Sequence, residues 1–440
     1  MNKTWKRKFF TIAIGQMASL IGSSAVQFAL IWWIASETGS AIMMGLSGLV
    51  AFLPMTFLSP AAGIAADRYQ RKHICIAADL FIGLVAAAFA VLLWIYDMPV
   101  WTALVILGLR SVGSTFHQPA IQALIPQIVP AGELTKVGGW NQLLASGSFL
   151  LGPALGAALY AAFPLPVVLL TDLLGALAAS GLLAAVAVPK LEPAPQEHRS
   201  TLGELKEGLR VYLEDRPLLL IVSVETLCMI FYLPLASFYP LMTSDYFGAS
   251  AWHGSAVEVA YALGMMVSAL LFGSVIKVRR HLAVAYLGLL GIGVTAALCG
   301  MLPPTMWAWC VFTVTCGVMG GFGNVHSIPL VAYMQSSIPP EKMGRAFSLL
   351  ALAGSFSMPV GLLIGSPVAE WVGVHMWFLI SGIGMILITA AGGAAPGRAS
   401  WVLLAKNHPP VFLLPAKRRG RNPSPPFDMP ENGSAAAAKL

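Results

Sequence analysis

The distribution of positive charge constrains this chain more than any other feature of its sequence. Of its 26 Lys and Arg residues, all but Arg110 can be placed on one side of a series of twelve apolar segments, and Arg110 lies inside a segment. A stretch of about 20 apolar residues is long enough to cross a bilayer. Short loops rich in Lys and Arg remain in the cytoplasm. The sequence therefore predicts a multi-pass protein of the cell (inner) membrane with both termini in the cytoplasm.

The composition excludes a soluble globular protein. The mean hydropathy is +0.77 and 10% of the residues are charged, which leaves too little polar surface to cover a soluble fold. The sequence pI of about 9.2 could indicate a nucleic-acid partner. The basic residues instead cluster at segment ends, as membrane orientation requires, so we expect no nucleic-acid partner. The five cysteines lack metal-ligand spacing, and we expect no metal and no cofactor.

The apolar segments predict an all-α membrane protein with six helices in each half. The expected spans are residues 9–35, 41–66, 74–96, 100–123, 138–163, 166–188, 218–242, 254–276, 281–302, 305–330, 346–370 and 374–396. The longest loop separates the halves, and Thr201 and Glu204 fit a capping box at the start of an amphipathic helix within it. We predict an N-terminal bundle (1–188), a cytoplasmic linker (189–216), a C-terminal bundle (217–396) and a disordered cytoplasmic tail (397–440).

The two halves also resemble each other in sequence. The segment FHQPAIQALIPQIVP at 116–130 is followed by ASGSFLLGPALG at 145–156. About 210 residues later, VHSIPLVAYMQSSIPP at 325–340 is followed by GSFSMPVGLLIG at 354–365. A repeat of one half in the other indicates a transporter with its site between the halves.

The short loop between spans 2 and 3 carries the sequence GIAADRYQRK. This loop resembles the signature loop of the major facilitator superfamily, in which a glycine, an aspartate and basic residues recur at this spacing. Gln70 departs from the pattern, because the family usually has glycine there. The resemblance implies a conformational latch made by five residues: Gly63, Asp67, Arg68, Arg71 and Lys72.

Span 5 carries a second motif, which is similar to one in the antiporters of that family and combines a proline kink with small residues. Its members are Ser148, Gly152, Pro153 and Gly156. The segment FHQPAIQALIP at 116–126, with Asp172, looks like the macrolide-efflux branch, which also includes siderophore exporters. The resemblance covers residues 1 to about 396 and implies the major facilitator fold, with twelve transmembrane helices in two pseudo-symmetric halves.

A charged residue inside a span indicates a structural or functional role, because a charge at the bilayer centre costs at least ~2.5–3.5 kcal/mol. Asp172 and Glu225 are the leading candidates for proton coupling, since a partly desolvated carboxylate can exchange protons near neutral pH. Arg110 resembles an arginine that the family links to proton transfer. For each of the three, a structural ion pair or helix-packing role is the alternative. Glu258 is expected near the outer interface, where an acidic group costs little free energy.

Candidate substrate contacts lie on spans 1 and 7, which flank the central cavity in this fold. Aromatic, Met and Gln side chains there would suit a bulky amphipathic compound, although core or lipid contact is the alternative for each one. These candidates are Gln27, Phe28, Trp32, Met229, Phe231 and Tyr232.

The sequence thus predicts a bacterial exporter of amphipathic molecules, with macrolide-type antibiotics as the first expectation, that exchanges its substrate for protons by alternating access. An exporter of an endogenous metabolite such as a siderophore is the alternative, and an importer is a further one. No nucleotide loop, zinc-protease motif or serine nucleophile motif occurs, so we expect no enzyme. The expected partners are a small-molecule substrate, protons and membrane lipid. The sequence does not imply an ATP-binding partner protein, which an ATP-driven pump would need.

Overall fold

A computed structural model describes residues 4–130, 133–189, 209–276 and 278–394. Within these ranges the chain forms twelve helices of 20 residues or more. They are α1 (Thr4–Thr38), α2 (Ala41–Arg68), α3 (Arg71–Ile95), α4 (Thr102–Ile128), α5 (Leu134–Ala162), α6 (Leu165–Ala185), α7 (Arg216–Leu241), α8 (Ala251–Ser274), α9 (His281–Gly300), α10 (Met306–Ser337), α11 (Pro340–Val372) and α12 (Val374–Ala394). Each predicted span falls on one of these helices, so the all-α membrane fold is confirmed.

Several helices are longer than the predicted spans. α1 begins at Thr4 and α11 at Pro340, several residues before the apolar stretches, because helical hydrogen bonding continues into the polar ends. Ten of the helices are long and apolar enough to cross a membrane. In α5 the apolar part is Leu150–Ala162, and α4 carries Arg110 and several hydroxyl and amide side chains. Composition alone therefore supports ten of the twelve crossings.

The two halves repeat one packing pattern. In the first half α1 packs on α5 and α6, α2 on α4, and α3 on α4 and α6. In the second half α7 packs on α11 and α12, α8 on α10, and α9 on α10 and α12. The close contacts repeat as well, because a methyl group built on Gly152 would overlap Ser24 of α1, and one built on Gly361 would overlap Ile230 of α7. The domain limits at 188/189, 216/217 and 396/397 remain predictions.

The halves contact each other at the end where α1 ends and α2 begins, which is the predicted outer end. There α2 packs on α11 and α7, and α5 packs on α8. Glu370 at the end of α11 accepts hydrogen bonds from Ser40 Oγ at 3.0 Å and from the Ile42 backbone N–H at 3.1 Å. These bonds join a carboxylate to the positive N-terminal end of α2. This end of the bundle is therefore closed.

The end of the linker docks on the second half. The capping box predicted at Thr201 and Glu204 lies outside the described residues, but residues 209–214 are helical. Burial, together with the nearby charge of Glu225, raises the pKa of Tyr212 to about 12. Its hydroxyl stays protonated and donates to the Ala346 carbonyl at 2.7 Å, which ties this short helix to α11. The predicted disordered tail also lies outside the described residues.

Candidate functional site

A cavity of about 640 Å³ lies in the middle of the bundle. It is formed by α1, α2 and α4, with Pro153 of α5 and Glu258 of α8, and it reaches toward the predicted cytoplasmic end as far as Ser59 and Gln122. One wall is polar and comes from α4, whose contributions are Ser111, Ser114, Thr115, Gln118 and Gln122. The apolar part of the lining comes from side chains of α1 and α2, namely Leu20, Phe28, Ile31 and Met55. Such a mixed surface suits an amphipathic molecule with several oxygen atoms.

Arg110 lies in the cavity wall and holds a buried network behind it. Its Nε donates to Asp172 Oδ2 at 2.9 Å, its Nη1 to Gln27 Oε1 at 3.1 Å and its Nη2 to the Ser23 carbonyl at 3.0 Å. Ser23 Oγ donates to the second oxygen of Asp172 at 2.5 Å. The Arg110 and Asp172 side chains are 6% and 1% exposed. The network joins α1, α4 and α6, and it balances the charge of Arg110 within the membrane.

A second buried carboxylate, Asp79 of α3, lies outside this cavity lining. It accepts hydrogen bonds from Gln16 Nε2 at 3.1 Å and Ser19 Oγ at 3.3 Å, and His117 Nε2 lies 3.5 Å from it. These partners tie α3 to α1 and α4. The arrangement agrees with the structural role of a satisfied polar group in a helix bundle.

Glu225 of α7 lies in a separate cleft of about 310 Å³ that is lined by both halves, with Phe52 of α2 on the far side. Glu225 Oε1 is 3.3 Å from His326 Nε2 of α10, and His326 Nδ1 is 3.0 Å from the Ala285 carbonyl of α9. The Glu225 side chain is 16% exposed. Glu225 is thus open to the cleft, whereas Asp172 is covered by Arg110.

Two of the five predicted latch residues, Arg71 and Lys72, hold helix ends together at the predicted cytoplasmic face. Arg71 donates to the Ala66 carbonyl at 3.2 Å and to the Ala123 carbonyl at 2.7 Å. Lys72 donates to the Ala184 and Val186 carbonyls at the end of α6. Cations there complement the negative C-terminal helix ends. Arg68 is exposed, a methyl group built on Gly63 would meet no described atom within 4 Å, and the Asp67 side chain is not described.

The predicted antiporter motif packs α5 on α1. A methyl group on Gly156 would lie 2.6 Å from the Ala25 carbonyl, so these backbones touch. Ser148 is buried and donates to the Leu144 carbonyl at 2.9 Å, within its own helix. Pro153 lines the cavity. The motif therefore brings α5 close enough to α1 to close one side of the cavity.

Three of the six predicted substrate contacts line the central cavity or the Glu225 cleft, and the other three lie elsewhere. Gln27 and Phe28 line the central cavity, and Met229 lines the Glu225 cleft. The other three pack elsewhere: Trp32 against Gly254 near the outer end, Phe231 on Trp377 with ring centroids 6.2 Å apart, and Tyr232 in a hydroxyl contact with Tyr261.

Glu258 lies in the wall of the central cavity. The expected span began at 254, whereas α8 begins at Ala251, so Glu258 lies about two turns from the start of its helix, and its depth near the outer interface stays a prediction. The Ser250 cap, which pairs with His253, would have given the correct start. Ser23, which bonds both Arg110 and Asp172, carries no distinguishing sequence signal.

Comparison with known proteins agrees with this architecture. Residues 12–362 match the family model of the Major Facilitator Superfamily. Macrolide efflux protein A of Streptococcus pyogenes is 36% identical over 385 residues, which cover 87% of this chain and 95% of that protein. Macrolide efflux protein A of Enterococcus faecalis is 34% identical over 325 residues, 74% of this chain and 100% of that protein.

A solved structure shows the same fold at low identity. The bacterial homologue of the iron transporter ferroportin, in its inward-facing state, superposes with a TM-score of 0.68 at 16% identity and covers 88% of this chain and 98% of that one. The fold and the family match together define a multi-pass membrane transporter of small molecules. The chain belongs to the major facilitator superfamily, and its sequence is similar to that of the streptococcal macrolide efflux protein.

Proposed function

We propose that this chain exports amphipathic small molecules, macrolide-type antibiotics first among them, from a bacterial cell in exchange for protons. Support for the substrate comes from the similarity to Macrolide efflux protein A and from the cavity with one polar and one apolar wall. We also propose that the chain lies in the inner membrane with both termini in the cytoplasm, contacts membrane lipid and works without a partner protein. The observation that carries the coupling is the buried Arg110–Asp172 ion pair in the cavity wall.

Alternating access is supported by where the two halves touch. In this structure the contacts between α2 and α11 close the predicted outer end, while the cavity extends toward the predicted cytoplasmic end. A substrate would enter from the cytoplasm in this state. Rocking the halves about the cavity would then open the outer end and close the inner one. The residues of the loop Gly63–Lys72 and the small residues of α5 serve in this proposal as the latch and the seal.

Proton uptake at Asp172 would change the charge of the cavity wall. With Asp172 ionised, the Arg110 charge is balanced and its guanidinium bridges Gln27 and the Ser23 carbonyl of α1. A proton on Asp172 removes that balance and leaves a net positive charge beside the substrate. The change weakens the hold on a cationic substrate and loosens the link between α1, α4 and α6.

The Glu225–His326 pair is the second coupling position. A carbonyl oxygen only accepts hydrogen bonds, so His326 Nδ1 carries a hydrogen toward the Ala285 carbonyl. A neutral ring would then turn a lone pair on Nε2 toward the Glu225 carboxylate at 3.3 Å. The approach is favourable when the pair holds one further proton, either on the ring or on the carboxyl group. This site exchanges its proton through the cleft.

The test is accumulation of radiolabelled erythromycin in efflux-deficient bacteria that express the chain, with and without a protonophore. We expect low accumulation that rises when the protonophore is added. Asp172→Asn and Glu225→Gln keep the side-chain shape and remove the carboxylate charge, so each should abolish energised efflux while the protein remains in the membrane. Asp79→Asn is the matched control, because Asp79 is also buried but, unlike Asp172, is not paired with a residue that lines the cavity.

Two results would contradict the proposal. Proton-coupled efflux that is unchanged in both the Asp172 and the Glu225 variants would remove the coupling assignment. Erythromycin accumulation equal to that of empty cells, with the wild-type protein present in the membrane, would remove the macrolide and favour an endogenous metabolite such as a siderophore.

A further inference from the structure

The charges that line the central cavity do not balance. Among the described residues, two charged side chains line it, Arg110 and Glu258. The charge of Arg110 is compensated by Asp172 at 2.9 Å. Glu258 forms no hydrogen bond and no ion pair with any residue in the described part of the chain. The wall therefore has one uncompensated carboxylate, which is costly at membrane depth and marks a functional position.

The position of Glu258 relative to α1 defines what lies beside it. The two helices run in opposite directions along the bundle, and the Trp32 indole of α1 lies directly against Gly254 of α8. One turn inward from Trp32 is Phe28, and one turn inward from Gly254 is Glu258. Both line the same cavity near its closed outer end. An aromatic ring and a carboxylate are thus brought to the same depth.

This pairing has a definite chemical preference. The carboxylate attracts a positively charged nitrogen or phosphonium centre and disfavours an anion, while the Phe28 ring, which stacks on Trp32 with centroids 6.0 Å apart, adds apolar contact. The surrounding α1 and α2 side chains provide apolar contact, and the α4 hydroxyl and amide groups accept or donate hydrogen bonds. The site therefore suits an organic cation whose charge is attached to a bulky apolar body.

We infer that Glu258 is the counter-charge for the transported compound, so that the cavity takes amphipathic organic cations in preference to neutral compounds of the same size. The inference rests on the proposed function in one respect, namely that the substrate occupies this cavity. It adds a requirement for a positive charge and assigns that requirement to one residue of α8.

The experiment compares two probes of similar shape and different charge, methyltriphenylphosphonium and triphenylphosphine oxide. Equilibrium binding of each is measured on the full chain, purified and reconstituted in lipid nanodiscs. The wild type should bind the phosphonium at least ~10-fold more tightly than the oxide. Glu258→Gln should lower phosphonium affinity about 10-fold and leave oxide affinity within about 2-fold, since the amide keeps the shape and loses the charge. Glu258→Asp should restore part of the affinity.

Glu37→Gln provides the matched control, because Glu37 is exposed at the end of α1, away from the cavity, and both affinities should be unchanged. Retained oxide binding shows that the Glu258 variants are folded. The inference is overturned if the wild type binds the phosphonium no better than the oxide, or if Glu258→Gln lowers both affinities equally or neither.

Failure of the Glu258 cation site and failure of the proposed macrolide export give different results. Absence of erythromycin efflux by a wild type that binds the phosphonium through Glu258 would remove the macrolide and keep the cation site. Proton-driven efflux of erythromycin that survives in Glu258→Gln, together with unchanged phosphonium binding, would keep the exporter and remove the cation site.

Discussion

Gly45 offers a direct way to disturb the closed outer end. It lies on α2 where that helix crosses α11, and a methyl group built on it would lie 2.6 Å from the Cβ of Ser366. Carbon atoms pack at about 3.5–4.0 Å, so the two helices must separate by about 1 Å to admit Gly45→Ala. Ser366 cannot move its Cβ away by rotation, because that atom is fixed to the α11 backbone.

The energetic cost follows from the overlap. Inserting a methyl group into a well-packed contact costs about 1–3 kcal/mol. If the outer ends separate in the alternative state, that state does not incur this cost. The ratio of closed to open outer ends should then fall by roughly 5- to 150-fold. Gly45→Val should shift it further than Gly45→Ala.

The assay is the distance between spin labels on exposed positions at the outer ends of two equivalent helices, Tyr96 after α3 and Met301 after α9. The exposed Cys310 is replaced by Ser so that the labels are specific. Gly181→Ala on α6 is the control, since Gly181 is exposed and a methyl group there meets no described atom within 4 Å. A distance distribution that is the same in the Gly45 series, the control and the wild type would refute the reasoning.

Three further predictions concern helix contacts and pH. Gly156→Val should lower thermal stability by about 1–3 kcal/mol, because its Cβ would lie 2.6 Å from an α1 carbonyl, whereas Gly181→Val should leave the melting temperature unchanged. Glu370→Gln should destabilise the closed outer end by less than about 1 kcal/mol, because this carboxylate is exposed. It should therefore shift the outer spin-label distances less than Gly45→Ala does, and a shift as large as that of Gly45→Ala would contradict this. The hydrogen bond and charge of Lys342 lower the pKa of the exposed Glu214 below its ordinary 4.5, so this contact stabilises the fold above that pH and the contribution is lost as the pH falls below it. Melting temperatures of the wild type and Lys342→Gln should therefore converge as the pH is lowered from above 4.5 to well below it, and a gap that stays constant would show that Glu214 is not responsible.

The helices and their order could be predicted from the sequence, because apolar stretches of bilayer length are a strong signal. Helix starts could not be predicted as well, since the polar ends of helices carry no such signal. The start of α8 was expected at 254 and lies at Ala251, and no signal in the sequence indicated that Glu258 lines the cavity. A start signal was present in the Ser250 cap, which the structure shows with its partner His253.

Individual site residues could be recognised in the sequence, but which of them contact one another could not. Arg110 and Asp172 were recognised as charges in the membrane, but their 2.9 Å contact joins residues 62 apart in the chain. No spacing rule predicts a contact of that kind. Which face of α7 meets the cleft could not be predicted either, because apolar residues occur on all sides of that helix. Sequence alone could not show that Met229 faces a cleft while Phe231 packs on Trp377.

The buried charges of the described spans differ in how completely they are satisfied, and this difference separates their roles. Asp79 has two hydrogen-bond donors and a nearby imidazole, and Asp172 has an arginine and a hydroxyl. Glu225 has one imidazole and an open cleft, whereas Glu258 has no ion pair with any described residue. A proton on a fully satisfied carboxylate would break several favourable contacts at once, so in the proposed function uptake at Asp172 requires α1, α4 and α6 to rearrange. Glu225, which is partly satisfied, faces an open cleft, and Glu258, which has no such partner among the described helices, would gain most from a cation that enters the cavity. Under the proposed function, loading of a cationic substrate at Glu258 and proton exchange at Glu225 would need the least rearrangement of this structure, and the Arg110–Asp172 pair would be the element whose change of charge is transmitted to α1, α4 and α6.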